Sequence, residues 1–221
     1  MPNFTTPAPI TAVLDLPAGR VHLAAGDRAD TTVEVRPADP AKNRDVEAAE
    51  RTTVTYADGV LTVRAPQGKN QYFGPTGAIE VTVGLPAGSD VRATTAAAEL
   101  LGTGRLGDVA FDGAYRSIRL DEAAGVRLTA TDGDVEVGRL AGPARISTAR
   151  GDIRIAEAVR GDVVLDTQQG SITVAAAPGV SASLDAGTSY GRVDNALKNT
   201  GTPELAIRAT TSYGDIVARS K

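Results

Sequence analysis

Short runs in which apolar and polar residues alternate recur along the chain, and a period of two predicts β-strands rather than helices. Between Ile10 and Val91 these runs are Val13-Leu14-Asp15-Leu16, Arg20-Val21-His22-Leu23, Thr32-Val33-Glu34-Val35 and Glu80-Val81-Thr82-Val83. Two further runs, Thr52 to Tyr56 and Val60 to Val63, flank Ala57-Asp58-Gly59, and Asp-Gly between alternating strands predicts a tight hairpin. The departure from this pattern is Asp39 to Glu50. It has an N-cap candidate in Asp39, proline at the first helical position and good helix formers beyond, and reads as one short helix or a solvated loop. Pro66 to Pro75 reads as a loop whose Tyr72 and Phe73 cover the adjoining strands.

After Gly88 the strands shorten and a phrase returns: a glycine, usually an aspartate, then a β-branched residue. It occurs as Gly107-Asp108-Val109, Gly133-Asp134-Val135, Gly151-Asp152-Ile153, Gly161-Asp162-Val163, Gly170-Ser171-Ile172 and Gly214-Asp215-Ile216. One column of strand-opening residues is Ile118, Val135, Ile153 and Ile172, with steps of 17, 18 and 19. A second is Val109, Val126, Ile146 and Val163, with steps of 17, 20 and 17. Two strands per coil of about 18 residues is the arithmetic of an all-β fold, a β-solenoid or closely related stacked β-repeat. Residues 95–221 form this Gly-Asp repeat, and residues 1–94 an N-terminal β-strand region continuous with the same fold.

Stacking makes a further prediction. The first column would set Arg119, Glu136 and Arg154 one above another on the outer face. Neighbouring strands lie about 4.8 Å apart, so this order pairs opposite charges, while a one-residue slip would turn the apolar positions outward. At the corners, glycine accepts positive φ and aspartate bonds the local backbone, which explains the Gly-Asp phrase structurally. The C-terminal part carries an echo, Thr188-Ser189-Tyr190-Gly191-Arg192-Val193 and Thr211-Ser212-Tyr213-Gly214-Asp215-Ile216. It places Tyr190 and Tyr213 at equivalent corners, either covering the core beside the glycine or forming a recognition pair. The extra length is assigned to a loop from Asp194 to Pro203, and Arg219-Ser220-Lys221 reads as a charged strand protecting an exposed sheet edge.

The Gly-Asp-Val repeats closing in Ser189-Tyr190-Gly191-Arg192-Val193-Asp194-Asn195 and Ser212-Tyr213-Gly214-Asp215-Ile216 resemble the bacterial family DUF4097, β-strand-repeat proteins labelled as candidate adhesins. The resemblance covers roughly Thr11 to Arg219 and implies a β-solenoid-like fold, with surface adhesion or envelope-stress roles by association. It implies no catalytic residue. The abundance of Ala, Gly and Arg resembles a soluble actinobacterial branch.

Composition narrows the chemistry. The 221 residues include no cysteine, which excludes disulfides and thiolate metal sites, and one histidine, His22, whose phase in its strand points it outward to solvent. A net charge of -4 with both signs interspersed gives no electrostatic case for nucleic acid. There is no secretory signal at the N-terminus and no run long enough to span a membrane. With Met1 as the native start the expectation is a cytoplasmic protein; a chain trimmed of its signal would be extracellular.

Gly102-Thr103-Gly104-Arg105-Leu106-Gly107 matches the glycine pattern of dinucleotide sites, but a strand and a turn follow it where a helix should. Arg150-Gly151-Asp152 and Arg160-Gly161-Asp162 spell an adhesion tripeptide at positions the corners already require. Asp108, Asp112, Asp134 and Asp152 are the candidate acids of a carbohydrate-active β-helix, and stacking could bring the last two together. Acidic corners could also hold calcium, although the glycine-rich nonapeptide of calcium β-rolls is absent. The expectation is a non-enzymatic, adhesin-like interaction or structural protein with no cofactor and no metal. Its partner is a protein or cell-envelope polymer, or a second copy in a homo-oligomer. Candidate recognition residues are Tyr190, Tyr213, Arg119 and Arg154.

Overall fold

The computed structural model describes residues 1–66, 77–114 and 116–221, and the side chain of Ala114 is not among the parts described. The loop expected at Pro66 to Pro75 with its two aromatics lies outside the described residues except for Pro66 itself, as does Tyr115. In the N-terminal part the elements are β1 (Asn3–Thr5), β2 (Thr11–Gly26), β3 (Asp30–Pro37), the helix α1 (Asn43–Glu50), β4 (Thr53–Ala57), β5 (Val60–Arg64) and β6 (Ile79–Pro86). Two long strands follow, β7 (Asp90–Ala114) and β8 (Ile118–Asp132). The remainder is β9 (Val135–Leu140), β10 (Ala144–Arg150), β11 (Ile153–Ala158), β12 (Gly161–Gln169), β13 (Ile172–Ala176), β14 (Ala182–Tyr190), β15 (Val193–Ala196), β16 (Leu205–Tyr213) and β17 (Ile216–Ser220).

Each coil contributes one strand to a first sheet and one to a second. From β8 onward the first sheet pairs β8, β10, β12, β16 and β14 in parallel, and the second pairs β8, β9, β11, β13, β17 and β15. The long strands β2, β7 and β8 bend through both sheets, β2 against β7 from Thr11–Asp90 to Ala24–Thr103. The two ends of β7 lie side by side, with Gly107 N donating to Ser89 O at 2.8 Å. β7 runs without interruption through residue 94, so the N-terminal strands share the sheets of the repeat.

The hairpin of β4 and β5 forms as expected. Asp58 at φ 51° and Gly59 at φ 76° supply the two positive φ values of a type I′ turn. The helix is shorter than Asp39 to Glu50 suggested. Asp39 does not cap it; its Oδ1 accepts from Ala41 N at 3.0 Å in a turn ahead of the helix, and Lys42 holds the N-cap position without a side-chain bond. α1 is tethered to β6 through the buried Asp45, whose Oδ1 accepts from Ala78 N at 2.9 Å, just before that strand.

The core is the thin aliphatic seam between the sheets. In the second sheet Ile118, Val135, Ile153 and Ile172 are in register, continue to Ile216, and are at most 1% exposed. In the first sheet the expected column needs a correction: Val126 stands against Ala144, not Ile146, and Ala144 against Val163. Ile146 stacks one pair further on, between Leu128 and Leu165.

The order of coils in space is not their order in the chain. β16 lies between β12 and β14, and β17 between β13 and β15, so the last coil is inserted beneath the one that precedes it. The same happens at the other end, where β2 lies between β5 and β7 in one sheet and between β6 and β7 in the other. The strand ending at Arg219-Ser220-Lys221 is therefore internal, and the open edges at that end are β14 and β15. Asp194 belongs to β15, so the connecting loop begins after Ala196.

Candidate functional site

The corners leading from the first sheet to the second contain two residues each, at 133–134, 151–152, 170–171, 191–192 and 214–215. Their glycines are required by the close passage of the next coil: Gly133 has φ +127° and Gly151 φ +131°, and a Cβ on either would overlap the backbone of the neighbouring corner. The residue after the glycine forms a ladder along the stack. Asp134 Oδ1 accepts from Asp152 N at 2.9 Å, and Asp152 Oδ1 from Ser171 N at 2.7 Å. Asp215 N donates to Ser171 Oγ at 3.3 Å, and Asp215 Oδ1 accepts from Arg192 N at 2.9 Å. At the opposite corners Asp90 Oδ1 accepts from Asp108 N at 2.8 Å.

A second row lies three residues before the last four of these glycines and is missed by the Gly-Asp phrase; in it Thr148 donates to Arg150 O of its own coil at 3.0 Å, and the others reach the neighbouring corner. Thr148, Thr167 and Thr211 are at most 5% exposed in the last inward row of the first sheet. Their hydroxyls cannot be left dry and unpaired. Thr167 Oγ1 donates to Gly151 O at 3.1 Å, Thr211 Oγ1 to Gly170 O at 2.9 Å and Thr188 Oγ1 to Gly214 O at 3.0 Å. The legible signal was Thr-x-x-Gly at Thr148, Thr167, Thr188 and Thr211.

The candidate acids divide accordingly. Asp134 and Asp152 are brought together by stacking, but one oxygen of each is committed to a backbone amide of the next coil. Asp108 and Asp112 are exposed positions of the first sheet, and Asp108 lines a groove of about 480 Å³ with Arg92, Arg127 and Arg145. Among the described residues no group of three or more His, Asp or Glu is placed to hold a metal ion. The glycine pattern at 102–107 lies inside β7, with no helix after it. Arg150-Gly151-Asp152 is a corner in which Arg150 pairs with Asp132 at 2.9 Å and Asp152 serves the ladder.

The outer face of the second sheet carries the expected charge order. Arg119 and Arg154 flank Glu136 in register, Arg119 at 3.8 Å from it. A parallel row runs Glu122, Arg139, Glu157 and Lys221, with Arg139 also hydrogen-bonded to Glu157. Nearer the N-terminus Arg20 bridges Glu80 at 3.0 Å and Glu99 at 3.1 Å. The hydrogen bond from Arg20, aided by one from Ser117 and opposed by burial, holds the Glu99 carboxyl below the usual carboxylate range. His22 points away from the core as expected, but it is half-buried rather than solvated. Its Nε2 is enclosed without a hydrogen-bond partner among the described residues, on a strand flanked by Thr82 and Leu101.

Tyr190 and Tyr213 do occupy equivalent corners, in register on β14 and β16, with rings stacked at 4.9 Å and 3°. They do not cover the core: they are 67% and 55% exposed. The four candidate recognition residues thus fall into two places, the tyrosines at the end of the stack and Arg119 with Arg154 on a lateral face.

Two parallel sheets rolled from two-residue Gly-Asp corners define a β-solenoid-like repeat protein. The chain belongs to the Toastrack DUF4097 family, whose profile matches residues 13–220. Among solved structures it is similar to a candidate cell-adhesion protein from Clostridium sporogenes, at 11% identity, covering 100% of this chain and 98% of that one with a TM-score of 0.42. It is also similar to a candidate adhesin from Bacteroides fragilis, at 12% identity, 98% and 95% coverage and a TM-score of 0.38. A candidate adhesin from Parabacteroides merdae gives 10% identity, 100% and 93% coverage and a TM-score of 0.31. No curated protein matches the chain. No helix among the described residues is long and apolar enough to cross a membrane.

Proposed function

We propose that this is a non-enzymatic interaction protein whose lateral sheet faces bind a partner protein or a cell-envelope polymer. The observation that carries the reading is the fate of the stacked corner acids: Asp134 and Asp152 each accept a backbone amide of the next coil. One oxygen of each is thereby fixed on the neighbouring coil, so the pair serves the stack rather than standing free over a substrate cleft as a general acid and base would. The regular outer faces are left to meet a partner, with Arg119 and Arg154 two strands apart on one of them.

The test is retention on the immobilised protein of soluble envelope polymers and of proteins from the same cell. The expected result is retention of one class, weakened at least about tenfold by joint Arg119→Ala and Arg154→Ala substitution, the loss of roughly 1.4 kcal/mol. Cleavage of a uronate polymer that disappears in Asp134→Asn would overturn the proposal in favour of a carbohydrate-active enzyme.

A further inference from the structure

The two ends of the stack are built differently. At the N-terminal end the strands turn antiparallel, β1 against β3, β3 against β6, and β4 against β5. Phe4 of β1 and Tyr56 of β4 meet across the two sheets at 5.3 Å, both partly buried against the core, and α1 packs on β3 and β6. Among the described residues these side chains cover the core at that end.

The other end is not covered in this way. Its last coil is β14 and β15, each paired on one edge only, to β16 and β17. In the inward column of the second sheet Ile153, Ile172 and Ile216 are 0% exposed, whereas Val193, next in register, is 46% exposed. Leu184 and Ala186, inward residues of β14, are only partly buried. Among the described residues, three of the five exposed large hydrophobic side chains, Tyr190, Val193 and Tyr213, sit on the last two coils. β14 has nine residues and no proline or lysine to protect its unpaired edge.

From this asymmetry we infer that the β14–β15 coil is a docking surface for a second copy of this chain, end to end about a two-fold axis, with β14 antiparallel to its counterpart. Three features select that occupant. Continuation of the stack by a parallel coil would need an acceptor in the corner ladder, and Arg192 stands where Asp134, Asp152 and Asp215 supply one. The unpaired edges at the N-terminal end, β1 and β4, are only three and five residues long and run antiparallel to their neighbours, a poor match for the nine-residue β14, so self-association closes as an isologous dimer. The end coil, residues 182–204, also carries nearly balanced charge, Asp185, Asp194 and Glu204 against Arg192 and Lys198, so two copies meet with little net repulsion.

The area is sufficient. Nine extended residues span about 30 Å and packed sheets lie about 10 Å apart, so with outer side chains the end face is roughly 600 Å². Two copies would bury about 1,200 Å², the lower range of specific interfaces. The inference uses other residues than the lateral-face proposal, and each can fail alone.

Sedimentation velocity of the full chain from about 1 to about 100 µM tests it. The expected species is a dimer whose dissociation constant rises about a hundredfold in Val193→Lys, which would bury an unpaired ammonium at the contact. Because Val193 is 46% exposed in one copy, the melting temperature of the dilute variant should stay that of the native chain, and Val60→Lys at the other end should leave the dimer intact. Hydrogen exchange of the 182–190 amides should slow as concentration rises, a reading that needs no variant. A monomer at the highest concentration, oligomers growing beyond two, or a dimer indifferent to Val193→Lys with unchanged exchange at 182–190 would each overturn the inference.

Discussion

Ile153 and Arg154 are neighbours in sequence with opposite fates, because strand geometry sends one into the seam and the other to water. Ile153 is 0% exposed between Val135 and Ile172, so Ile153→Asp places an unpaired charge where neither water nor a donor reaches it. Urea denaturation should show a loss of more than about 4 kcal/mol, or no folded protein, while Arg154→Ser should stay within about 0.5 kcal/mol. Equal stabilities would mean the register is wrong. Glu99 makes a pH-dependent contribution of known sign. Its folded carboxyl titrates below its unfolded one because Arg20 bonds the charged form. The stabilisation is therefore present above the ordinary carboxylate pKa and is lost as pH falls through the lower, folded value. Glu99→Gln should cost roughly 0.2–1 kcal/mol at neutral pH, the range of exposed pairs, and the cost should vanish once the pH lies below the lowered, folded value.

At the scale of a coil, the two kinds of corner differ in how far the sequence reveals them. From β8 onward corners from the first sheet to the second hold two residues, which is why Val135, Ile153 and Ile172 are read correctly from spacing alone. Corners leading back vary: 141–143, 159–160, 177–181 and 197–204. A β-branched residue after a three-residue corner looks like a strand opening, so Ile146 masks the smaller Ala144 that lies in register. The Gly-Asp phrase was legible as a corner, but not that its carboxylate reaches the next coil's amide rather than its own. Ladder bonds of this kind should couple adjacent coils. Asp152→Ala should cost about 1–2 kcal/mol by leaving Ser171 N without its acceptor, and Asp152→Asn, which keeps an acceptor oxygen, should recover most of it. Equal losses in the two variants would assign the effect to charge.

The whole molecule is where sequence periodicity misleads, because alternation reports which residues face inward and not which coil lies beside which. A repeat read in chain order puts Arg219 and Lys221 on the outer edge; β17 is in fact enclosed between β13 and β15. The sequence did contain the distinction. β16 keeps buried Leu205, Ile207 and Ala209 and its partner coil the ladder Asp215, whereas the coil before it has Arg192 at the ladder position and all four residues of β15 exposed. In a stack whose coils contact only their neighbours, damage spreads outward to whatever the damaged coil supports. Ala209→Asp, at a 0% exposed position of β16, should therefore abolish amide protection over 205–220 and also over 182–196, which precedes it in the chain but rests upon it in space. Protection in β10 and β11, two coils inward, should survive. A chain-order stack predicts the reverse for 182–196, which would remain docked on β12 and β13, so native-state hydrogen exchange on the full-length variant separates the two arrangements in a single experiment.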